Sequence, residues 1–295
     1  MTEIFGISLP ALSGQLLIGL INGSFYALLS LGLAVIFGLL NIINFTHGAQ
    51  YMMGAFVAYL LLNKLGVGYW WSLLLVPIIV GVFGAITERL MLSKLYKLDH
   101  LYGLLLTFGI ALIIQGLFRN TYGSSGQPYP IPSQLAGGRN LGFMFLPNYR
   151  AWVIFASAGI CLVTWFVIER TKLGAYLRAA TENPQLVQAF GINVPRMITT
   201  TYGFGVGLAA FAGVMAAPIY SVSPQMGSDL IIVVFAVVVI GGMGSILGAV
   251  LTGFGLGLVE GLTKVFYPEA SNTVIFVIMA IVLLIKPAGL FGTQK

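Results

Sequence analysis

The sequence predicts an all-α, polytopic membrane protein with about eight transmembrane helices, some of them interrupted by glycine. Two observations carry this. Of the 295 residues, 58% are hydrophobic and 7% are charged, against roughly 25% charged in an average globular protein. The 14 Lys and Arg and 8 Asp and Glu are also unevenly placed, leaving long uncharged windows, as a charge at the bilayer centre costs about 2.5 to 3.5 kcal/mol. This balance excludes a soluble domain, a disordered chain and a nucleic-acid binder, and the lone Cys161 inside an apolar run excludes a disulfide scaffold. The net charge of +6 becomes a topology signal, because Lys and Arg collect in cytoplasmic loops.

The uncharged windows cover 4–63, 65–87, 101–118, 151–168, 197–228, 230–259 and 270–285. The first is long enough for two passes or three pieces, with candidate breaks at Asn22-Gly23 and between Asn41 and Gly48. The sixth carries Gly241, Gly242 and Gly244 near its middle, which predicts an interruption or a fold-back. A helical glycine costs roughly 1 kcal/mol relative to alanine, and backbone freed at membrane depth needs protein or water partners. The count is about eight spans, with nine or ten possible. The uncharged stretch 120–138 is rich in Gly, Ser, Gln and Pro and reads as an exposed connector. No Lys or Arg precedes the first window, so a signal peptide with a basic start is not expected. The densest basic loops, 89–100 and 170–196, are separated by two windows, which predicts that both face the cytoplasm and that 119–150 lies outside. Lys286 and Lys295 favour a cytoplasmic C-terminus. A weak internal echo links HGAQYMMGAF at 47–56 with GGMGSILGAV at 241–250, sharing two glycines and an alanine.

The most informative hydrophilic stretch is 169–197, ERTKLGAYLRAATENPQLVQAFGINVPRM. Asn183 suits an N-cap and Pro184 a first helical position; Leu186, Ala189 and Phe190 fall on one face, and Gly191 suits a left-handed end. The predicted object is an amphipathic helix of about seven residues, too short to be stable alone. It either lies in the membrane interface as a linker or docks in a groove on a cytoplasmic partner.

Asn41, Asn44, Thr46, His47 and Gln50 form a polar cluster within an apolar region. An unpaired amide or hydroxyl in hydrocarbon costs several kcal/mol, so these groups either satisfy backbone at a helix break or line a translocation path. His47 has no neighbouring Cys, Asp or second His, which excludes a metal site; His100, beside Asp99, reads as solvated. Glu260 is an acid in an apolar segment and a functional candidate by default, while Lys264, four residues on, offers an ion pair on the same face. Asp229 suits a helix cap, and Glu88 with Arg89 a cytoplasmic rim. The glycine patterns at 203–207 and 253–257 favour close helix packing rather than nucleotide binding. No Lys follows a Gly, so the phosphate-binding G-x-x-x-x-G-K-[ST] loop is absent, as are a nucleophile elbow and a metal-binding helix. The chain is not expected to be an enzyme, and any ATP must be bound elsewhere.

Four stretches, in order along the chain, carry a family resemblance: NGSFYALLSLGLAVIFGLLNIINFTHGAQYMMGAF at 22–56, RAATENPQLVQAFGIN at 178–193, VVVIGGMGSILGAVLTGFGLGLVEGL at 237–262 and KPAGLFG at 286–292. Together they resemble the branched-chain amino acid family of ABC importer permeases. The common importer loop places a Gly four residues after its Glu-Ala-Ala, whereas here Arg178-Ala179-Ala180 is followed by Gly only at Gly191, which looks like the variant of the branched-chain family. The resemblance implies one permease domain, 1–295, with a cytoplasmic coupling loop at 169–197. Arg178, Ala179, Ala180, Glu182, Asn183, Leu186, Phe190, Gly191, Ile192 and Asn193 would engage an ATPase. It further implies a second related permease subunit, two cytoplasmic ATPases carrying ATP and magnesium, an extracytoplasmic solute-binding protein, and a place in the bacterial inner membrane. This chain itself would bind no cofactor. The implied substrates are leucine, isoleucine and valine; urea, short amides or other amino acids are alternatives, as is a secondary transporter or channel using Glu260.

Overall fold

The computed structural model describes residues 3–4, 7–40, 44–142 and 144–292, and the chain is mostly helical (77%). Eleven α-helices follow in order among the described residues: α1 Leu9–Leu40, α2 Thr46–Leu65, α3 Tyr69–Leu90, α4 His100–Tyr122, α5 Asn148–Arg170, α6 Lys172–Glu182, α7 Pro184–Ala189, α8 Val194–Ala216, α9 Met226–Gly241, α10 Ile246–Phe266 and α11 Val274–Ile285. Two small antiparallel ladders accompany them, Glu3–Ile4 with Ile7–Ser8 and Gly138–Asn140 with Phe145–Pro147. Among the described residues six segments are long and apolar enough to cross a membrane: Leu9–Gly38, Tyr69–Lys94, His100–Tyr122, Asn148–Arg170, Val194–Ala216 and Ile246–Phe266; Met226–Gly241 and Val274–Ile285 are shorter apolar helices. α2 has the length, but Thr46, His47 and Gln50 in its first turns lower its hydropathy, and most of its first half is buried.

The first window resolves into two helices, and one expected break is absent. α1 runs without interruption through Asn22-Gly23, because Gly23 serves as a contact point. A side chain there would press on the backbone of Gly253 and Phe254. α1 packs most extensively against α10, and the two run antiparallel, with Gly19 and Gly23 against Gly257 and Gly261, Ala27 against Gly253, and Gly38 against Gly244. Small residues let the backbones approach where water supplies no driving force. Gly48, also expected as a break, lies within α2 and is pressed on the Gly227 carbonyl of α9. Asn41, at the other proposed break, lies outside the described residues.

The glycine cluster of the sixth window does end a helix. α9 stops at Gly241; Gly242 and Gly244 take φ of 102° and 85°, left-handed values that favour glycine. Ser245 then caps α10 by accepting from the Gly248 amide at 3.1 Å. The last carbonyls of α9 are satisfied by the C-terminal segment, the Leu290 amide bonding Ile240 O at 2.8 Å and the Phe291 amide Gly241 O at 3.1 Å. That is the physical content of the sequence KPAGLFG. The internal echo does not extend to structure at its first glycine, since Gly48 lies in the first turn of α2 and Gly242 is a left-handed turn.

α3 and α8 also pack antiparallel, with Pro77 against Gly207 and Gly81 against Gly203. The two basic loops therefore meet at one end of the bundle: the buried Glu88 of α3 accepts from the Tyr96 hydroxyl and from Thr199 Oγ1 at 2.6 Å. Burial, reinforced by the hydrogen bond to Glu88, pushes the Tyr96 phenol well above its ordinary range. The C-terminal segment joins the same end through Gly241 and Gly242. At the opposite end the 123–147 segment folds over the turn after α8, with Gln127 and Val222 exchanging backbone hydrogen bonds, and Tyr149 bonds Tyr69 and the Met215 carbonyl.

The α1–α10 seam is open to test. Gly257→Ala forces a methyl group into the backbone of Gly19 and Gly23, and is expected to destabilise by about 1 to 3 kcal/mol. Gly255→Ala, which faces open space, is expected to leave the melting midpoint in detergent unchanged or slightly raised. Equal midpoints for the two variants would contradict the seam.

Candidate functional site

Three constellations stand out, and α1 brings two of them together. On its Asn22–Tyr26 turn, Asn22 Nδ2 donates to Glu260 Oε1 at 3.2 Å and Tyr26 donates to Glu260 Oε2 at 2.7 Å. Lys264 reaches Glu260 Oε1 at 2.5 Å. Glu260 is 5% exposed, so each carboxylate oxygen has the donors that burial demands. Tyr220 donates to Asn22 Oδ1 at 3.0 Å. Asn22 and Tyr26 then form part of the wall of a cavity of about 300 Å³, together with Phe25, Tyr51, Tyr220, Met226, Asp229 and Leu230. That volume is at the lower end of small-molecule sites, about 300 to 1,000 Å³. Glu260 stands behind this wall and braces it. Asp229, expected as a cap, lies in the first turn of α9 with Gln225 at the cap position, and its exposed side chain lines the cavity.

The second constellation is the polar start of α2. Thr46 donates to Thr107 O at 2.7 Å, the Phe45 amide donates to Thr107 Oγ1 at 3.3 Å, His47 Nε2 donates to Leu29 O at 3.0 Å, and Asn44 Nδ2 donates to Gln50 Oε1 at 3.3 Å. All four side chains are at most 1% exposed. Among the described residues Asn44 Oδ1, His47 Nδ1, Gln50 Nε2 and the Tyr202 hydroxyl have no partner in good hydrogen-bond geometry, although the Tyr202 phenol lies against the Asn44 and Gln50 amides, an unusual residue of polarity in a packed interior. This cluster adjoins the cavity through Tyr51.

The third is the 169–197 loop, which holds two helices where the sequence suggested one. Arg178 of α6 donates to Ile168 O at 3.0 Å and pairs with Glu169 at 3.5 Å, pinning α6 to the end of α5. The ends of the short helix match its sequence: Asn183 Oδ1 accepts from the Leu186 amide at 3.0 Å, Pro184 opens α7, and Gly191 has φ of 84°. The inward contact is different. Ala180, Val187 and Val194 are buried together with Ile192 partly behind them, whereas Leu186 is 54% and Phe190 78% exposed. Ala179, Glu182 and Asn193 are exposed too, with Asn193 Oδ1 capping α8 through the Arg196 amide at 3.0 Å. Among the described residues no group of His, Cys, Asp and Glu has the arrangement of a metal site.

Residues 15–283 match the family model described as the branched-chain amino acid transport system permease component. The chain belongs to this family. It is 30% identical to the high-affinity branched-chain amino acid transport system permease protein LivH of Escherichia coli K12, covering 95% of this chain and 96% of LivH. It is 31% identical to BraD of Pseudomonas aeruginosa, a protein of the same description, with the same coverage. The LivM permease of E. coli is 27% identical over 92% of this chain and 68% of LivM. No solved structure matches.

Sequence reasoning missed Asn22, Tyr26, Tyr51, Tyr220 and Asp229 as a group. Asn22 carries a signal, an amide deep in an uncharged window, but the Gly23 that follows it makes the pair look like a helix break; Tyr220 lies 198 residues away and no local pattern joins them.

The Glu260–Lys264 pair gives a direct test. Lys264→Met leaves the buried carboxylate without its cation, and is expected to cost about 1 to 3 kcal/mol, below the figure for fully buried pairs because Lys264 is partly solvated. Adding Glu260→Gln should recover most of that loss. A double-mutant cycle on thermal or denaturant unfolding reads the coupling; additive effects would show that the pair contributes nothing.

Proposed function

We propose that this chain is one transmembrane half of an ATP-driven importer of leucine, isoleucine and valine, crossing the bacterial inner membrane about eight times. Family membership along most of the chain supports the substrate class. The observation that carries the mechanism is Phe190, an aromatic ring 78% exposed at the C-cap of a six-residue helix at the basic end. A bare ring on a short, braced helix suits insertion into a groove on a partner, where such residues dominate binding energy.

In this reading α6 and α7 form the coupling element, with Arg178, Ala179, Ala180, Glu182, Asn183, Leu186, Phe190, Gly191, Ile192 and Asn193 shaping or presenting it. Two ATPases hold ATP and magnesium on the cytoplasmic side, and this chain is not itself an enzyme and binds no cofactor. A second related permease completes the pathway, consistent with LivH and LivM of E. coli both being described as permease proteins of a high-affinity branched-chain amino acid transport system. A solute-binding protein delivers substrate at the opposite end, and membrane lipid surrounds the bundle. The cavity beside Asn22 and Tyr26 receives the solute: Asp229 faces an ammonium group, while Phe25, Met226 and Leu230 face an aliphatic side chain. The polar cluster of Asn44, Thr46, His47 and Gln50, with Asn41 beside it in sequence, lines the path further on when the helices part. Glu260 supports the wall of that path.

Reconstitution into liposomes with the second permease, the ATPases and the binding protein tests the reading. ATP-dependent leucine uptake, competed by isoleucine and valine and not by urea or acetamide, is expected; uptake driven by a proton gradient without ATP would overturn it. Phe190→Asp is expected to lower uptake at least tenfold, the loss of one interface anchor, with the melting midpoint unchanged. Normal uptake by that variant would remove α7 from the coupling role.

A further inference from the structure

Along one flank of the α3–α8 pair two cavities follow one another. The first is an almost wholly apolar groove of about 610 Å³, lined by Leu74, Ile78 and Val82 of α3, Phe204 and Phe211 of α8, and Ile160 of α5. The second, of about 580 Å³, lies at the basic end and is lined by Arg89, Ser93, Asn193 and Arg196 among others. Helical spacing places them in line. Ile78, Val82, Ala85 and Arg89 follow one stripe of α3, and Phe211, Phe204, Thr200 and Arg196 one stripe of α8.

Size and charge specify an occupant. From Leu73 to Ala85 the groove follows α3 for about 18 Å at 1.5 Å per residue, close to the depth of one leaflet, half of a hydrocarbon core of about 30 Å. Arg89 and Arg196 are both exposed. The ion pairs among the described residues are Arg178–Glu169 and Lys264–Glu260, so neither arginine has a carboxylate partner. Glu88 also lines the second cavity, but it is 1% exposed and its oxygens accept from Tyr96 and Thr199, so it forms no ion pair with either arginine. Two unpaired guanidinium groups at the mouth of a leaflet-deep apolar groove match a phosphate attached to an acyl chain, because guanidinium binds phosphate oxygens through paired N–H donors.

We propose that the α3–α8 groove is a binding site for one anionic phospholipid, its acyl chain lying along Ile78, Val82 and Phe204 and its phosphate held between Arg89 and Arg196. Occupancy fills the flank of the α3–α8 pair and ties the two basic loops to the membrane surface. This does not depend on the identity of the transported solute.

The test uses the complete transporter complex, stripped of lipid in detergent and incubated with phosphatidylglycerol or phosphatidylcholine, with bound lipid counted by native mass spectrometry. Phosphatidylglycerol is expected to be retained in preference to phosphatidylcholine. Arg89→Gln with Arg196→Gln should lower retention roughly 30-fold, the equivalent of about 1 kcal/mol for each of the two basic residues. Lys94→Gln with Lys97→Gln, which removes equal charge from the neighbouring loop, should leave it unchanged, and Val82→Trp, filling the groove, should abolish it. Equal retention by the arginine variant, equal loss in the lysine control, or no preference between the two lipids would overturn the proposal. So would displacement of the lipid by inorganic phosphate at matched concentration, which would make the basic cavity a free phosphate site. Loss of the second permease subunit from the Val82→Trp complex with lipid retained would make the groove a protein interface instead.

Discussion

The bundle depends on the backbone contact between α1 and α10. Within a bilayer there is no water to expel, so helices hold together by close packing and shared hydrogen bonds. Glycine at 19, 23, 253, 257 and 261 allows the two backbones to touch, and at that distance the side chains between the glycines have fixed neighbours. Asn22 and Tyr26 are placed one turn apart on α1, and Glu260 sits on α10 between Gly257 and Gly261. The three-donor arrangement around the Glu260 carboxylate follows from this spacing; a wider seam would put Tyr26 out of reach and leave a charge in a dry interior.

The same economy explains why the polar cluster of α2 remains intact. Thr46 and His47 give their protons to Thr107 O and Leu29 O, carbonyls of two other helices. A helix of ordinary length whose first turns are polar is stable in the interior when its neighbours supply acceptors, and Gly48 against Gly227 allows α9 to come close enough to shield it. The atoms left over, on Asn44, His47, Gln50 and Tyr202, are the ones to which the packed state gives no well-aligned bond, although the Tyr202 phenol lies against the two amides. They mark where a change in helix packing, or a passing polar group, would gain hydrogen bonds rather than lose them.

What was legible in the sequence follows the range of the forces involved. Charge distribution located most of the membrane helices because the cost of a buried charge acts residue by residue, and the cap of α7 was readable because Asn183, Pro184 and Gly191 act within one turn. The glycines were ambiguous, since conformational freedom and close approach select the same residue: Gly242 and Gly244 end a helix, while Gly23 and Gly48 pack inside one. The deciding fact is the partner backbone, which sequence does not display. α6 was missed because its one inward face, Gly174, Leu177 and Ala180, is too small to register beside the charged residues around it. The cavity wall was missed because Asn22, Tyr220 and Asp229 come from three segments that only the fold assembles.

The arrangement of the 169–197 loop sets how a force at its tip would travel in the importer reading. α7 is six residues long and touches the body through Val187, so it cannot bend as an independent lever; a helix that short has no stability of its own. Its motion is that of the small core it shares with Ala180 and Val194. α6 in turn is fixed to α5 by Arg178 on the Ile168 carbonyl and by the close approach of Gly174 to the same carbonyl, and it packs on α1 beside Ala34 and Gly38. Val194 opens α8. Displacement of Phe190 therefore reaches α1 and α8 together. The far half of α1 carries Asn22 and Tyr26, and the turn after α8 carries Tyr220, so the two elements that the loop would move are the two that close the cavity through the Tyr220–Asn22 hydrogen bond. A tilt of one against the other by the length of that bond, about 3 Å, is enough to break it and change which groups the cavity presents.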